Sequence, residues 1–292
     1  MASAINAMKE LSEHELRALV GLLDDEDPQS QELLRRQIIG AGRAVLPFLE
    51  EAQSRTDSRL RRRLVHMRRA VLDHELELEF GGLAADDPAG LEAGCLMVSR
   101  YAYPDLDARK YGDWFDETAR AVGPPLEPGA DPYPLAQRLC AHLFDELGFK
   151  GSRTRYYDPD NSCLNRVIDR REGIPVTLCA LFLLLARRLR LPAAGAGLPG
   201  HFMVRLPLAG KAYFLDAYSG GQILTRTQCR EFLLRSGQVY REEYLRPCGD
   251  RDILARVLRN LIAIHHNDGA PVQAEQLSRL LDILLRGAMP SR

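Results

Sequence analysis

From Glu13 to about Phe80 the apolar positions recur at helical spacing. Leu16, Leu19, Val20, Leu22 and Leu23 make a first stripe, which stops in the acidic turn Asp24 to Asp27. Asp27 ahead of Pro28 suits a helix start: the carboxylate can cap free N–H groups, and the first helical position has no use for the N–H that proline lacks. Leu33, Leu34, Ile38 and Ile39 form a second stripe. Gly40 and Gly42 break it, and Val45 to Ala52 begins a third helix around Pro47. A fourth is expected from Asp57 to Phe80, then a linker over Gly81 to Gly90, rich in Gly, Ala, Asp and Pro. Helical pattern resumes from Leu91 to Val122, interrupted around Tyr103-Pro104. A loop follows over Gly123 to Pro134, then an amphipathic helix over Leu135 to Leu147, ended by Gly148. From Asp250 the pattern predicts a helix to about His266, a turn at Asn267-Asp268-Gly269, and a helix opened by Pro271. That is an antiparallel helical hairpin.

The middle of the chain reads differently. Tyr156-Tyr157-Asp158-Pro159 leads into Asn161-Ser162, a start signal for a helix to about Arg170, with Ser162 as its cap. Pro175 then opens a long apolar helix to Leu189, and Gly195 to Gly200 is expected to be a loop. His201 to Leu206 and Lys211 to Asp216 have strand composition and a hairpin-length turn between them. With the turn placed at Pro207 to Gly210, Leu206 faces Lys211, Met203 faces Phe214 and His201 faces Asp216. Directly opposed residues have Cβ atoms about 5 Å apart, so a histidine and a carboxylate would meet at the open end of the hairpin. Such an aspartate can fix the imidazole tautomer and raise its basicity, or the pair can simply be a satisfied buried contact.

Composition narrows the classes. Of 292 residues 46% are hydrophobic and 27% charged, ordinary for a globular chain with a sizeable core. The net charge of -1 gives no general pull toward nucleic acid or an anionic membrane. Arg59, Arg61, Arg62, Arg63, His66, Arg68 and Arg69 crowd the fourth helix, but Asp73, Glu75, Glu77 and Glu79 balance them, as on a solvated face. The N-terminus lacks the basic and apolar regions of a secretory signal. The most apolar run, Leu178 to Ala186, falls short of the roughly 20 residues a membrane span needs. Six scattered cysteines without a CxxC pair point to reduced thiols and a cytoplasmic protein.

The segments YYDPDNSCLNRVIDRREGIPVTL, GLPGHFMVRL and YFLDAYSGG resemble the SirB family of transglutaminase-like proteins, from about Leu91 to Tyr244. The resemblance implies an α+β fold with a transglutaminase-like (papain-related) core and a small antiparallel sheet. The flanks resemble a HEAT-type helix pair and a tetratricopeptide-type hairpin. The expected division is therefore a helical unit over 1–80, the core over 91–245 and the hairpin over 246–292. Within the superfamily the nucleophilic cysteine lies two residues after a glycine at the start of the core helix. Here that glycine is Gly173 and the position holds Pro175, while His201 and Asp216 match the superfamily histidine and aspartate. The same GIP pattern is usual in the SirB family. Ala217 and Arg190 depart from it, standing where proline and glycine are usual.

Two functions follow. The first is a non-catalytic binding or regulatory protein that meets proteins or peptides through its helical flanks. The second is a hydrolase or acyl/amide-transfer enzyme with His201 as base, oriented by Asp216, acting on water, Ser162 or Cys163. Asn161, Gly173, Pro175 and Gly200 are expected to line the cleft. Cys179 and Thr177 are weaker nucleophile candidates. No cofactor or metal is expected: His201 and Asp216 have only the remote Asp158 as a third ligand, and His265 and His266 point about 100° apart on a helix. Gly195, Gly197 and Gly200 match a dinucleotide spacing, but between a helix and a strand, which is the wrong context.

Overall fold

The computed structural model describes residues 11–24, 27–54, 58–83 and 90–286. Asp25 and Glu26 of the acidic turn, Asp57, the linker residues 84–89 and the N-terminal stretch read for a signal lie outside them. The chain divides into two compact units, Met1–Glu79 and Phe80–Arg292.

The first unit is helical: α1 Glu13–Gly21, α2 Pro28–Gly40, α3 Leu46–Ser54, and α4 Ser58–Gly81, which runs past its limit. A capping box opens α1, with the Ser12 hydroxyl accepting from Glu15 N while Glu15 reaches back to Ser12 N. Asp27 caps α2 by accepting from Ser30 N at 2.8 Å. Leu16, Val20, Ile38, Val45, Leu49 and Leu64 share one apolar core. Leu22 and Leu33, expected in the stripes, are instead exposed. Each adjoins a buried leucine, and neighbours on a helix point about 100° apart, so one of the two must turn outward.

The second unit is α+β. Its helices are α5 Gly90–Ala102, α6 Ala108–Val122, α7 Pro132–Cys140, α8 Leu164–Arg170, α9 Pro175–Arg188, α10 Arg226–Arg235, α11 Asp250–Asn267 and α12 Pro271–Arg286. Two short strands, β1 Lys150–Gly151 and β2 Glu172–Gly173, pair in parallel. Strands β3 Ala194–Leu198, β4 His201–Leu208, β5 Lys211–Asp216 and β6 Gln222–Thr225 form one antiparallel sheet in that order. Helix α9 is buried along Pro175 to Ala186 and packs against β4, as an all-apolar helix must. At its C-terminus Arg187 pairs with Asp250 in the first turn of α11, each charge set against the helix end that favours it. Helices α11 and α12 pack on each other, and α11 also on α5 and α9.

Three expectations are corrected. Gly195 to Leu198 is not a loop but most of β3, paired residue for residue with Phe202 to Val204 and His201. Glycine serves there for close approach, since a Cβ on Gly195 would lie 2.7 Å from Cys248 Sγ and 2.9 Å from the Phe202 ring. The β4–β5 turn is two residues long, not four: Leu208 faces Lys211 across Ala209 (φ 47°) and Gly210 (φ 73°), the left-handed pair a tight hairpin needs. Helix α7 starts inside the expected loop, where Asp131 caps it and Pro132 takes the first position. Strand β6 and helix α10 fall where no element had been assigned.

Arg190, which stands in place of a usual glycine just after α9, takes φ 52°. A non-glycine residue pays about 1 kcal/mol for that conformation.

Candidate functional site

His201 opens β4 and Asp216 closes β5, so both stand at the end of the sheet away from the tight turn. Nε2 of His201 lies 3.0 Å from Oδ1 of Asp216, and both side chains are buried. They are not directly opposed, as the four-residue turn had implied. Leu215 faces Val204, and carrying that register outward makes His201 and Asp216 diagonal neighbours. Strand side chains alternate with period two, so a slip of two positions keeps both on one face and within reach. Nε2 makes no hydrogen bond of ordinary geometry despite the short distance. The two side chains are in close polar contact without an aligned N–H bond.

Asp216 is fixed from its other side by the turn that follows. Oδ1 accepts from the backbone N–H groups of Tyr218 and Ser219, each at 3.1 Å, and Oδ2 from the Ser219 hydroxyl at 2.9 Å. Burial pushes the carboxyl pKa up, but the His201 contact and the Ser219 bonds outweigh it and hold the group below its ordinary value. Asp216 is therefore ionised at neutral pH. The His201 ring tilts against Phe232 of α10 at 5.1 Å and meets Tyr218 edge-on at 6.1 Å.

The candidate nucleophiles are not poised. Cys163 is the N-cap of α8 and is buried; burial first, then the Asp160 charge, push its thiol up to about 12. Cys179, one turn into α9, donates to the Phe202 carbonyl at 3.4 Å. Burial and then the Asp216 charge raise its pKa well above the ordinary value, with the Ala217 N–H pulling the other way. Cys95, Cys140, Cys229 and Cys248 are each pushed up to about 12, with burial the leading cause. The Ser162 and Thr177 hydroxyls are buried without any hydrogen-bond partner, so neither is bonded to His201. Ser162 does not cap α8 as expected, because the chain ahead of α8 is already a short 3-10 turn, Pro159–Ser162, capped by Asp158.

The expected cleft residues are placed as follows. Gly173 pairs with Gly151 and its carbonyl accepts from Ser152 N at 3.0 Å. Pro175 is buried at the first position of α9, after Ile174, whose side chain cannot cap a helix. Asn161 joins this region by accepting from Ile174 N at its carbonyl, 3.4 Å. Its Nδ2 donates to the carbonyls of Arg155 and Tyr156, and its buried Oδ1 has no partner. Gly200 is exposed at the β3–β4 turn beside His201, where φ of 69° suits glycine.

Tyr218, Ser219 and Phe232 escaped the sequence reading. Ser219 was within reach of it, since an aspartate followed closely by serine is a common side-chain turn. Phe232 depends on α10, which Thr225 and Gln228 announce by a capping box.

Among the described residues no group of His, Cys, Asp and Glu is arranged to hold a metal. Asp158 is engaged by Arg170 at 2.9 Å and by Asp160 N at 3.0 Å. No helix among them is long and apolar enough to cross a membrane.

The model of the transglutaminase-like superfamily matches residues 109–259, which include every residue of this site. A UPF0162 protein of Xylella fastidiosa (strain 9a5c) is 35% identical over 189 residues, spanning 62% of this chain and 67% of that protein. A UPF0162 protein of Pseudomonas aeruginosa is 33% identical over 197 residues, spanning 66% and 70%. F-box only protein 21 of Mus musculus is 30% identical over 151 residues, which are 49% of this chain but 24% of that protein. No solved structure matches. The chain belongs to the transglutaminase-like superfamily and, within it, to the SirB-like family of UPF0162 proteins.

Proposed function

We propose that this chain is a binding or regulatory protein that carries a transglutaminase-like cleft without its thiol. The observation behind the reading is Pro175, the first residue of α9, where the resemblance puts the nucleophilic cysteine. Proline has no nucleophilic atom, and the six thiols elsewhere are held protonated at neutral pH by burial. The His201–Asp216 pair then serves as a fixed polar element at the sheet end, not as a proton relay. The HEAT-like first unit and the tetratricopeptide-like hairpin of α11 and α12 support a protein or peptide partner, because stacked helix pairs commonly offer docking faces. Six free cysteines agree with a reducing, cytoplasmic setting.

The short His201–Asp216 distance favours one competing reading, a hydrolase or acyl-transfer enzyme with His201 as base. With the Ser162 hydroxyl unbonded and Cys163 protonated, that enzyme would depend on water. Incubating the folded chain with an electrophilic peptide-amide probe and weighing the intact protein tests the proposal. The expected result is no adduct. A single adduct on a thiol or serine that disappears in His201→Ala overturns it.

A further inference from the structure

A lane of aromatic and cationic side chains leads from the buried His201 to the surface. His201 meets Tyr218 at 6.1 Å, Tyr218 meets Tyr156 at 6.2 Å, and Tyr156 meets Tyr157 at 5.2 Å, each edge to face. Tyr157 is exposed at 70%, so the lane opens to solvent. Two arginines, Arg153 and Arg256, act on it, and Arg155 stands between Arg153 and Tyr156 in the same loop. Burial raises the Tyr218 and Tyr156 phenols, while the Arg153 charge bears on the first and the Arg256 charge on the second, pulling down. Arg153 and Arg155 are exposed and Arg256 is half-buried.

Among the described residues none of these three guanidinium groups forms an ion pair. The nearby carboxylates are already committed, Asp216 to His201 and Ser219 and Asp158 to Arg170. The loop that carries Arg153 to Tyr157 is held rigidly. Ser152 N donates to Gly173 O, the Tyr218 hydroxyl donates to Ser152 O at 2.9 Å, and Asn161 Nδ2 donates to Arg155 O and Tyr156 O. A rigid loop offering unpaired guanidinium groups is a preorganised receptor for planar anions.

We propose that this lane binds an acidic segment of another polypeptide, its Asp and Glu carboxylates paired with Arg153, Arg155 and Arg256 and its backbone running over the tyrosines toward His201. Single-stranded nucleic acid also seeks arginine and aromatic groups, but it needs open ring faces on which bases stack. Here the rings lie at 73° to 87° to their neighbours, each edge against the next face. The chain's net charge of -1 provides no wider positive field for a phosphate backbone.

The inference rests on the reading of this region as a binding cleft and names its partner class. Fluorescence anisotropy of the full chain with a fluorescein-labelled peptide of alternating Glu and Gly tests it, beside the Gln-and-Gly peptide and a thymidine oligonucleotide of equal charge. The acidic peptide is expected to bind in a salt-dependent manner, and the triple variant Arg153→Gln, Arg155→Gln, Arg256→Gln to bind it about tenfold more weakly while melting like the wild type. Three outcomes overturn the proposal: equal binding of the two peptides, unchanged binding by the triple variant, or tighter binding of the oligonucleotide. Labelling by the amide probe would instead overturn the thiol-free reading and leave this surface standing, so the two failures are distinguishable.

Discussion

Asp216→Ala is expected to destabilise the fold by about 3 kcal/mol at neutral pH, read as a lower urea midpoint with an unchanged slope. The side chain is 4% exposed, accepts from two backbone N–H groups and the Ser219 hydroxyl, and lies 3.0 Å from His201 Nε2. Alanine leaves those donors facing a space that holds no acceptor, and charge-assisted bonds are the costliest kind to lose. The pH dependence carries a definite sign. The folded Asp216 carboxyl titrates below its unfolded value near 3.8, so its contribution is complete above that pH. It is lost as pH falls through the lower folded value. Asp216→Asn should therefore lose less stability than the wild type between neutral and acid pH. An alanine variant with the wild-type midpoint would mean that the turn Ala217 to Ser219 does not depend on the carboxylate.

Arg187→Met is expected to cost about 2–3 kcal/mol, a fall of roughly 5–10 °C in melting temperature for a unit of this size. Arg187 and Asp250 pair through two contacts, one of them Nη1 to Oδ2 at 2.9 Å, and the carboxylate is 8% exposed. Removing the guanidinium strands a buried charge at the joint between α9 and α11. The first-turn N–H groups of α11 offset part of that loss, and the arginine side chain is one-third exposed, which keeps the figure at the lower end. The double variant Arg187→Met, Asp250→Leu should recover much of the loss, because no charge is then left unpaired. Thermal unfolding of both variants decides it: a single variant that melts with the wild type would place the joint's strength in apolar packing alone.

How far the sequence anticipates the fold depends on how local each determinant is. Asp27-Pro28 and Pro271 announce helix starts because capping and proline chemistry act within one turn. Asp131-Pro132 carries the same signal and opens α7, but inside a Gly- and Pro-rich stretch that reads as loop. The hairpin register hinged on the turn. Ala209 is an unusual residue for a left-handed position, so the proline at 207 suggests a turn two residues too wide. The His201–Asp216 contact tolerated that error because strands alternate with period two. The Gly195 to Leu198 strand was hidden because its glycines serve contacts with Cys248 and Phe202, which only the folded chain brings near. The lane from His201 to Tyr157 joins three separate stretches of chain, and no sequence spacing encodes it.

Iodoacetamide alkylation of the folded protein, followed cysteine by cysteine from about pH 6 to about pH 10, bears most directly on whether this cleft has a working nucleophile. With every thiol raised by burial, all six rates should stay low near neutrality, still climb at the alkaline end, and be indifferent to His201→Ala. A cysteine whose rate levels off near neutral pH, and slows when His201 is removed, would contradict the thiol-free reading.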